Sequence, residues 1–351
     1  MSASAGPPQG GAANTTERAR PANRDHPLPR GGGRGEGDTS PPIVQVAAAV
    51  LLRPDGSFLL AQRPAGKVYE GYWEFPGGKL EMDETPRQAL DRELREELGI
   101  VVREAYPWIV RRFEYAHAHV ELHFFRVQAW EGEPHPHENQ AFAWQRLETI
   151  EVGPMLPANA PVLAALRLPS AYGITMASEI GIDAQIAQAE IALNRGLKLL
   201  QVREPGLPAA SRARLAQALR TLAASQGAQV LLNGSAEEAR GLGLAGVHWP
   251  ARVLLAARDR PADLLVGASC HNTTELTQAA KLGVDFVVLG PVAATPTHPE
   301  AQALGWTRWA ELAARQPMPI YALGGLTHDE LKLAWQAGAQ GVALRRGAWG
   351  A

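Results

Sequence analysis

The chain has 351 residues, 46% of them hydrophobic, and its 34 basic and 36 acidic side chains leave a formal net charge of −2. That composition suits globular cores in more than one domain, and the near-neutral balance excludes a duplex-binding surface held by bulk electrostatics. The single cysteine, Cys270, excludes an internal disulfide framework and a cysteine-built zinc site; with no long apolar run for a membrane span and no apolar secretion signal, a cytoplasmic protein is the default.

Residues 1–40 are rich in Gly, Pro, Ser, Ala and Arg and hold almost no large apolar side chain. They cannot bury enough surface to offset chain entropy, so the segment is predicted to be disordered. From Ile43 the pattern changes. Val44–Leu52 reads as a buried strand, Pro54-Asp55-Gly56 as a turn, and Phe58–Gln62 as its hairpin partner. Pro86–Leu98 repeats Ala89, Leu90, Leu94 and Leu98 at helical intervals, with Thr85-Pro86 to start the helix and Gly99 to end it. Further strands are predicted at Trp108–Phe113, Val120–Trp130 and Ala141–Arg146.

That helix carries the chemistry. Glu93, Glu96 and Glu97 are three and four residues apart, which puts their carboxylates on one face. With Glu84 nearby, these like charges repel and call for a compensating cation. Hard oxygen donors suit Mg²⁺ or Mn²⁺ rather than zinc.

After a link around Leu168-Pro169-Ser170, short apolar runs alternate with helical stretches. Strands are predicted at Tyr172–Met176, Lys198–Val202, Val230–Leu232, Gly246–His248, Leu264–Gly267, Phe286–Leu289, Ile320–Leu323 and Gly341–Leu344. Helices such as Asp183–Arg195, Ala209–Gln226, Thr274–Leu282 and Asp329–Ala337 separate most of them. Eight repeats in this length predict a β/α barrel whose site lies at the C-terminal ends of the strands.

The run WEFPGGKLEMDETPRQALDRELREELGI, Trp73–Ile100, carries a complete Nudix signature. Together with Trp130-Glu131-Gly132-Glu133-Pro134 and Leu156–Val162, it makes residues 43–167 resemble the MutT branch of the Nudix hydrolases. The resemblance implies an α/β/α sandwich with a mixed sheet and metal-assisted cleavage of 8-oxo-dGTP to the monophosphate and pyrophosphate. It also implies a site. Glu93, Glu96, Glu97 and the Gly78 carbonyl would hold the divalent ion, with Glu138 as a further ligand or water-activating group. Arg63 would sit near the nucleotide phosphates or sugar, and Lys79 would add positive charge. Asn159 would read the purine edge with its amide donor and carbonyl acceptor. Phe75 and Phe125 are candidates for packing on the base.

The words at the predicted barrel strand ends are similar to the thiamine phosphate synthase and TenI family. They are Gln201-Val202-Arg203, Leu232-Asn233, Gly246-Val247-His248, Gly267–His271, Thr295-Pro296-Thr297 and Ala322–Leu326. The resemblance implies a (β/α)8 TIM barrel over 169–351, behind a tail of 1–40 and a hydrolase domain of 41–168. Gln201, Arg203, Asn233, Ser269, Thr295, Thr297, Gly324 and Gly325 would then form a phosphate or ring-binding site, the two glycines letting backbone N–H groups approach an anion. His248 and His271 read as packing or hydrogen-bonding residues. The chain also departs from that family. Pro205 stands where a lysine is wanted, Gly234 replaces an acidic metal ligand, Trp249-Pro250-Ala251 replaces polar and acidic residues, and His298 replaces another lysine. Losing a metal carboxylate and two cations implies that thiamine phosphate synthesis is lost. A rival expectation makes the hydrolase act on a thiamine-pathway diphosphate, with the barrel as a ligand-binding or dimerisation module.

Overall fold

The computed structural model describes residues 42–137, 140–295 and 302–349, so the predicted tail lies outside the described residues. The first half is built from seven strands: β1 (Ile43–Leu51), β2 (Phe58–Gln62), β3 (Trp73–Glu74), β4 (Gly77–Lys79), β5 (Val101–Tyr115), β6 (Ala118–Glu131) and β7 (Phe142–Gln145). They form a mixed sheet of order β4-β1-β6-β5 and a smaller antiparallel sheet of order β3-β2-β7.

Strand alternation sorts the core into two layers. Ala47, Ala49 and Leu51 of β1 face Ala89, Leu90, Leu94 and Leu98 of helix α1 (Pro86–Leu98). Ala48 and Val50 point the other way, toward Phe58, Trp73, Phe75 and, on helix α2 (Ala160–Leu166), Val162 and Ala165. The predicted hairpin is corrected here. β1 pairs with β4 and β6, whereas β2 joins the other sheet, and only an isolated bridge, Leu52 to Phe58, links the two. The Pro54–Gly56 turn reverses the chain, but the burial of β1 on both faces places it inside the larger sheet.

The second half is a closed parallel barrel of eight strands. These are β8 (Ala171–Ile174), β9 (Leu199–Val202), β10 (Gln229–Leu232), β11 (Gly246–Trp249), β12 (Leu265–Cys270), β13 (Phe286–Leu289), β14 (Ile320–Leu323) and β15 (Gly341–Leu344), with β15 returning to pair with β8. Tyr172, Leu199, Leu231, Phe286, Val288 and Tyr321 fill the interior, so the barrel is a packed core rather than a pore. Among the described residues no helix is long and apolar enough to cross a membrane.

The two halves meet along a bonded seam. Trp108 Nε1 donates to Gln340 Oε1 at 2.8 Å, Gln340 Nε2 donates to the Leu168 carbonyl at 2.6 Å, and Arg111 Nη1 reaches the Pro317 carbonyl at 2.7 Å. Glu121, only 2% exposed, takes Arg112 from its own sheet and Arg315 from the barrel half.

Candidate active site

Helix α1 is fixed at both ends by its own sequence. Thr85 caps it, with Gln88 N–H donating to Thr85 Oγ1 at 3.3 Å and Thr85 N–H donating to Gln88 Oε1 at 2.9 Å, while Pro86 takes the first turn. Gly99 closes it at φ +68°, where its N–H bonds the Arg95 carbonyl. β4 passes so close beneath the helix that a Cβ on Gly78 would fall on the Glu93 carboxylate. Only glycine leaves room there for the carboxylate.

Arg92 organises the acidic face. Its Nε and Nη2 make a bidentate pair with Glu84 at 2.8 and 2.9 Å, and Nη1 lies 2.9 Å from Glu93 and 3.3 Å from Glu96. Nη2 also donates to the Lys79 carbonyl at 3.0 Å, tying β4 to the helix. The hydrogen bonds from Arg92 hold the Glu84 carboxyl down at about 2, and those to Glu84 and Glu93 raise Arg92 further above its usual range. Glu97 is half-buried one turn on, its carbonyl accepting from His137 N–H at 3.0 Å; His135 N–H bonds the Leu98 carbonyl. Those two bonds bring the 133–137 loop to the end of α1. Glu138, next along that loop, lies outside the described residues.

Among the described residues no three His, Cys, Asp or Glu side chains converge as a ready-made cation cage. What is present is an all-oxygen donor set on one helix face and a glycine cradle that a Cβ would fill, with a guanidinium already bridging Glu93 and Glu96. This donor chemistry fits a hard divalent ion.

The predicted substrate residues divide. Arg63 is bound to Glu74 through Nη1 at 2.6 and 2.8 Å and to the Val68 carbonyl through Nε. Asn159 is buried and donates from Nδ2 to the Trp73 carbonyl at 3.2 Å. Lys79 is exposed. Phe75 is core: it is 4% exposed, between Phe58 and Phe124 at 6.0 and 5.9 Å, and Phe125 is buried against the α1 layer. Both rings contribute to the two core layers of this half. Sequence reasoning missed Glu74 and Tyr115. Burial raises the Glu74 carboxyl against the pull of Arg63, and burial with Glu74 nearby pushes Tyr115 up to about 12. Tyr69, with φ +62°, lies 5.4 Å from the Tyr115 ring.

At the C-terminal ends of the barrel strands lies a cavity of about 1030 Å³. Gln201, Arg203, Asn233, Ser269, Thr295, Gly324 and Gly325 all line it, whereas Thr297 and His298 lie outside the described residues. Gly324 and Gly325 adopt φ +119° and +66°, and a Cβ on Gly324 would stand 2.7 Å from Pro291 Cα. His248 sits in the wall, Nε2 2.9 Å from Ser269 Oγ and Nδ1 3.2 Å from the Tyr172 hydroxyl, and burial and then Arg203 pull it down to about 3. Arg252, Arg345 and Arg346 were missed. With Arg203 they give the described lining four arginines and no acidic side chain, while Arg345 and Arg346 both bond to Glu179. Two adjacent cations directly after an apolar strand were the available signal for the last pair.

Residues 42–166 match the model of the NUDIX domain and residues 171–348 that of thiamine monophosphate synthase. The CTP pyrophosphohydrolase of Escherichia coli (strain K12) is 43% identical over 35% of this chain and 90% of its own. An 8-oxo-dGTP diphosphatase of Haemophilus influenzae is 40% identical over 35% of this chain and 91% of its own. The solved thiamine phosphate pyrophosphorylase of Pyrococcus furiosus aligns with a TM-score of 0.45 and 22% identity, covering 52% of this chain and 88% of that one.

Proposed function

The chain belongs to the NUDIX domain family through residues 42–166 and to the thiamine monophosphate synthase family through residues 171–348, and on that premise we propose that it is a nucleoside triphosphate pyrophosphohydrolase preferring 8-oxo-dGTP. Residues 41–168 are the hydrolase domain in this reading and 169–351 the barrel domain. The observation that carries it is the α1 face, where Arg92 holds Glu84, Glu93 and Glu96 beside the Gly78 cradle.

Glu93, Glu96, Glu97 and the Gly78 carbonyl are the groups that would hold Mg²⁺ or Mn²⁺, with Glu138, which follows His137 in the sequence, as a further candidate. When bound, such an ion supplies neutralising charge for phosphate oxygens and acidifies a water. The chain's own part is positional. Arg92 keeps Glu84 ionised and fixes the Glu93 rotamer, so the carboxylates are set before substrate arrives. Lys79 contributes a cation to the triphosphate, and Arg63, held by Glu74, lies toward the nucleotide phosphates or sugar in this reading. After its bond to Trp73, Asn159 keeps one N–H and its carbonyl oxygen for a purine edge. Water adds to a phosphorus of the triphosphate, the bridging oxygen leaves, and the products are a monophosphate and pyrophosphate.

A kinetic panel of 8-oxo-dGTP, dGTP, CTP and thiamine diphosphate with Mg²⁺ tests this. The highest kcat/KM is expected for 8-oxo-dGTP. A preference for CTP would assign a pyrimidine substrate, a preference for thiamine diphosphate would favour the thiamine-pathway alternative, and no cleavage at all would end the proposal.

For the barrel, a described lining with four arginines, two of them sharing Glu179, and no acidic side chain favours an anionic ligand but not a metal-bound pyrophosphate. The reading is a binding module for a phosphorylated ring, with no synthesis of thiamine phosphate. Calorimetric titration with thiamine phosphate should show binding that Arg345→Gln weakens. Turnover of the synthase substrates to thiamine phosphate would refute the reading.

A further inference from the structure

The seam between the mixed sheet and the barrel holds a second, partly open cavity of about 210 Å³. Its walls carry Leu52, Phe58, Leu147, Leu166 and Leu168 beside the polar Ser170 and Gln340, and among the described residues its one charged lining residue is Arg126. Among the described residues no acidic side chain lines it.

Arg126 reaches into the seam from β6 and is 5% exposed. Its Nη1 donates to the Gln340 carbonyl at 2.9 Å and Nη2 to the Ala339 carbonyl, while the Trp108 and Trp335 rings stand 5.4 and 5.5 Å away. Its Nε is buried without a hydrogen-bond partner among the described residues. The guanidinium therefore meets neutral groups only, and burial pulls it down to about 9. Burying a cation without an anion is expensive, and carbonyls and ring faces offset only part of that cost. The Gln340 amide is already engaged, with Oε1 accepting from Trp108 and Nε2 donating to Leu168.

We propose that this cavity is a binding site for a small monocarboxylate with a short apolar body, its carboxylate accepting from Arg126 and its hydrocarbon lying against the leucines. A phosphate fits poorly on charge: Arg126 is the one charged residue of the described lining, and a single guanidinium balances a monoanion but not a dianion. The volume is below the roughly 300 to 1,000 Å³ of ordinary ligand pockets, which selects a molecule much smaller than a nucleotide. The site is distinct from both the α1 face and the strand-end cavity of the barrel.

Isothermal titration of the full chain with hexanoate and with hexan-1-ol tests the assignment. Saturable binding of one hexanoate per chain is expected, with the alcohol at least tenfold weaker. Leu147→Trp, which fills the cavity from its wall, should weaken hexanoate at least tenfold, and Arg345→Gln, in the other cavity, should leave it unchanged. The proposal fails if hexanoate gives no saturable binding or if the alcohol binds equally. It fails also if binding survives Leu147→Trp or disappears with Arg345→Gln, because the anion would then occupy the strand-end cavity. Arg126→Gln should remove the preference for acid over alcohol, and the comparison of the two ligands on the unmodified chain stands even if that variant does not fold.

Discussion

Replacing His248 by glutamine probes how the barrel wall treats a buried imidazole. The ring is 2% exposed and its two nitrogens face the neutral hydroxyls of Ser269 and Tyr172. Desolvation, then the nearby Arg203, lowers it from 6.5 to about 3. An unfolded chain thus takes up a proton near 6.5 that the folded chain refuses until about 3. Stability is full above the unfolded value and erodes as pH falls through that window, because the unfolded state binds more protons. Between about pH 7.5 and about pH 5 the linkage amounts to about 2 kcal/mol. Glutamine retains a hydrogen-bonding amide at similar length but does not titrate. Urea unfolding of both proteins at the two pH values should show the parent losing about 2 kcal/mol more than His248→Gln. Equal losses would mean that His248 is protonated in the folded barrel, and the account of the cavity wall would be wrong.

Four further outcomes concern the hydrolase half. Glu97→Gln should abolish triphosphate turnover while leaving the circular dichroism spectrum unchanged; full activity would remove the assigned role. Arg92→Lys keeps a charge but cannot make the planar pair with Glu84, so activity should fall roughly 10- to 100-fold with little change in melting temperature. Gly78→Ala forces a methyl onto the Glu93 carboxylate, and the expected signature is a loss of activity and a weakened dependence on added Mg²⁺. Asn159→Ala should erase the preference for 8-oxo-dGTP over dGTP, and an unchanged ratio of kcat/KM would leave Asn159 with only its bond to the Trp73 carbonyl.

What the amino-acid order disclosed was mostly local. Helix α1 ends where Thr85 and Gly99 said it would, because caps and apolar spacing act within a few residues. The barrel strands fell within a few residues of their observed ends, since each fully buried strand is a short apolar run bounded by turns. Pairing partners were less legible. The supposed β1–β2 hairpin failed because sheet membership is decided by burial across the whole domain, not by the intervening turn. β5 was seen only in part, as its register shifts around Pro107 to Val110 break the alternation that marks a strand. In the candidate site, the α1 carboxylates and the strand-end words were readable as motifs, whereas Glu74, Tyr115 and Arg345 act through neighbours distant in the chain. Arg126 gave no signal at all, since a lone arginine in a strand normally reads as an exposed polar position.

Gln340 joins three things at once: the Trp108 indole, the Leu168 carbonyl at the end of the link and, through its own carbonyl, Arg126. The mixed sheet and the barrel are therefore clasped at one amide rather than merely strung together. Mutations that loosen this clasp belong, by position, to the barrel, yet their first casualty would be the sheet that carries the hydrolase.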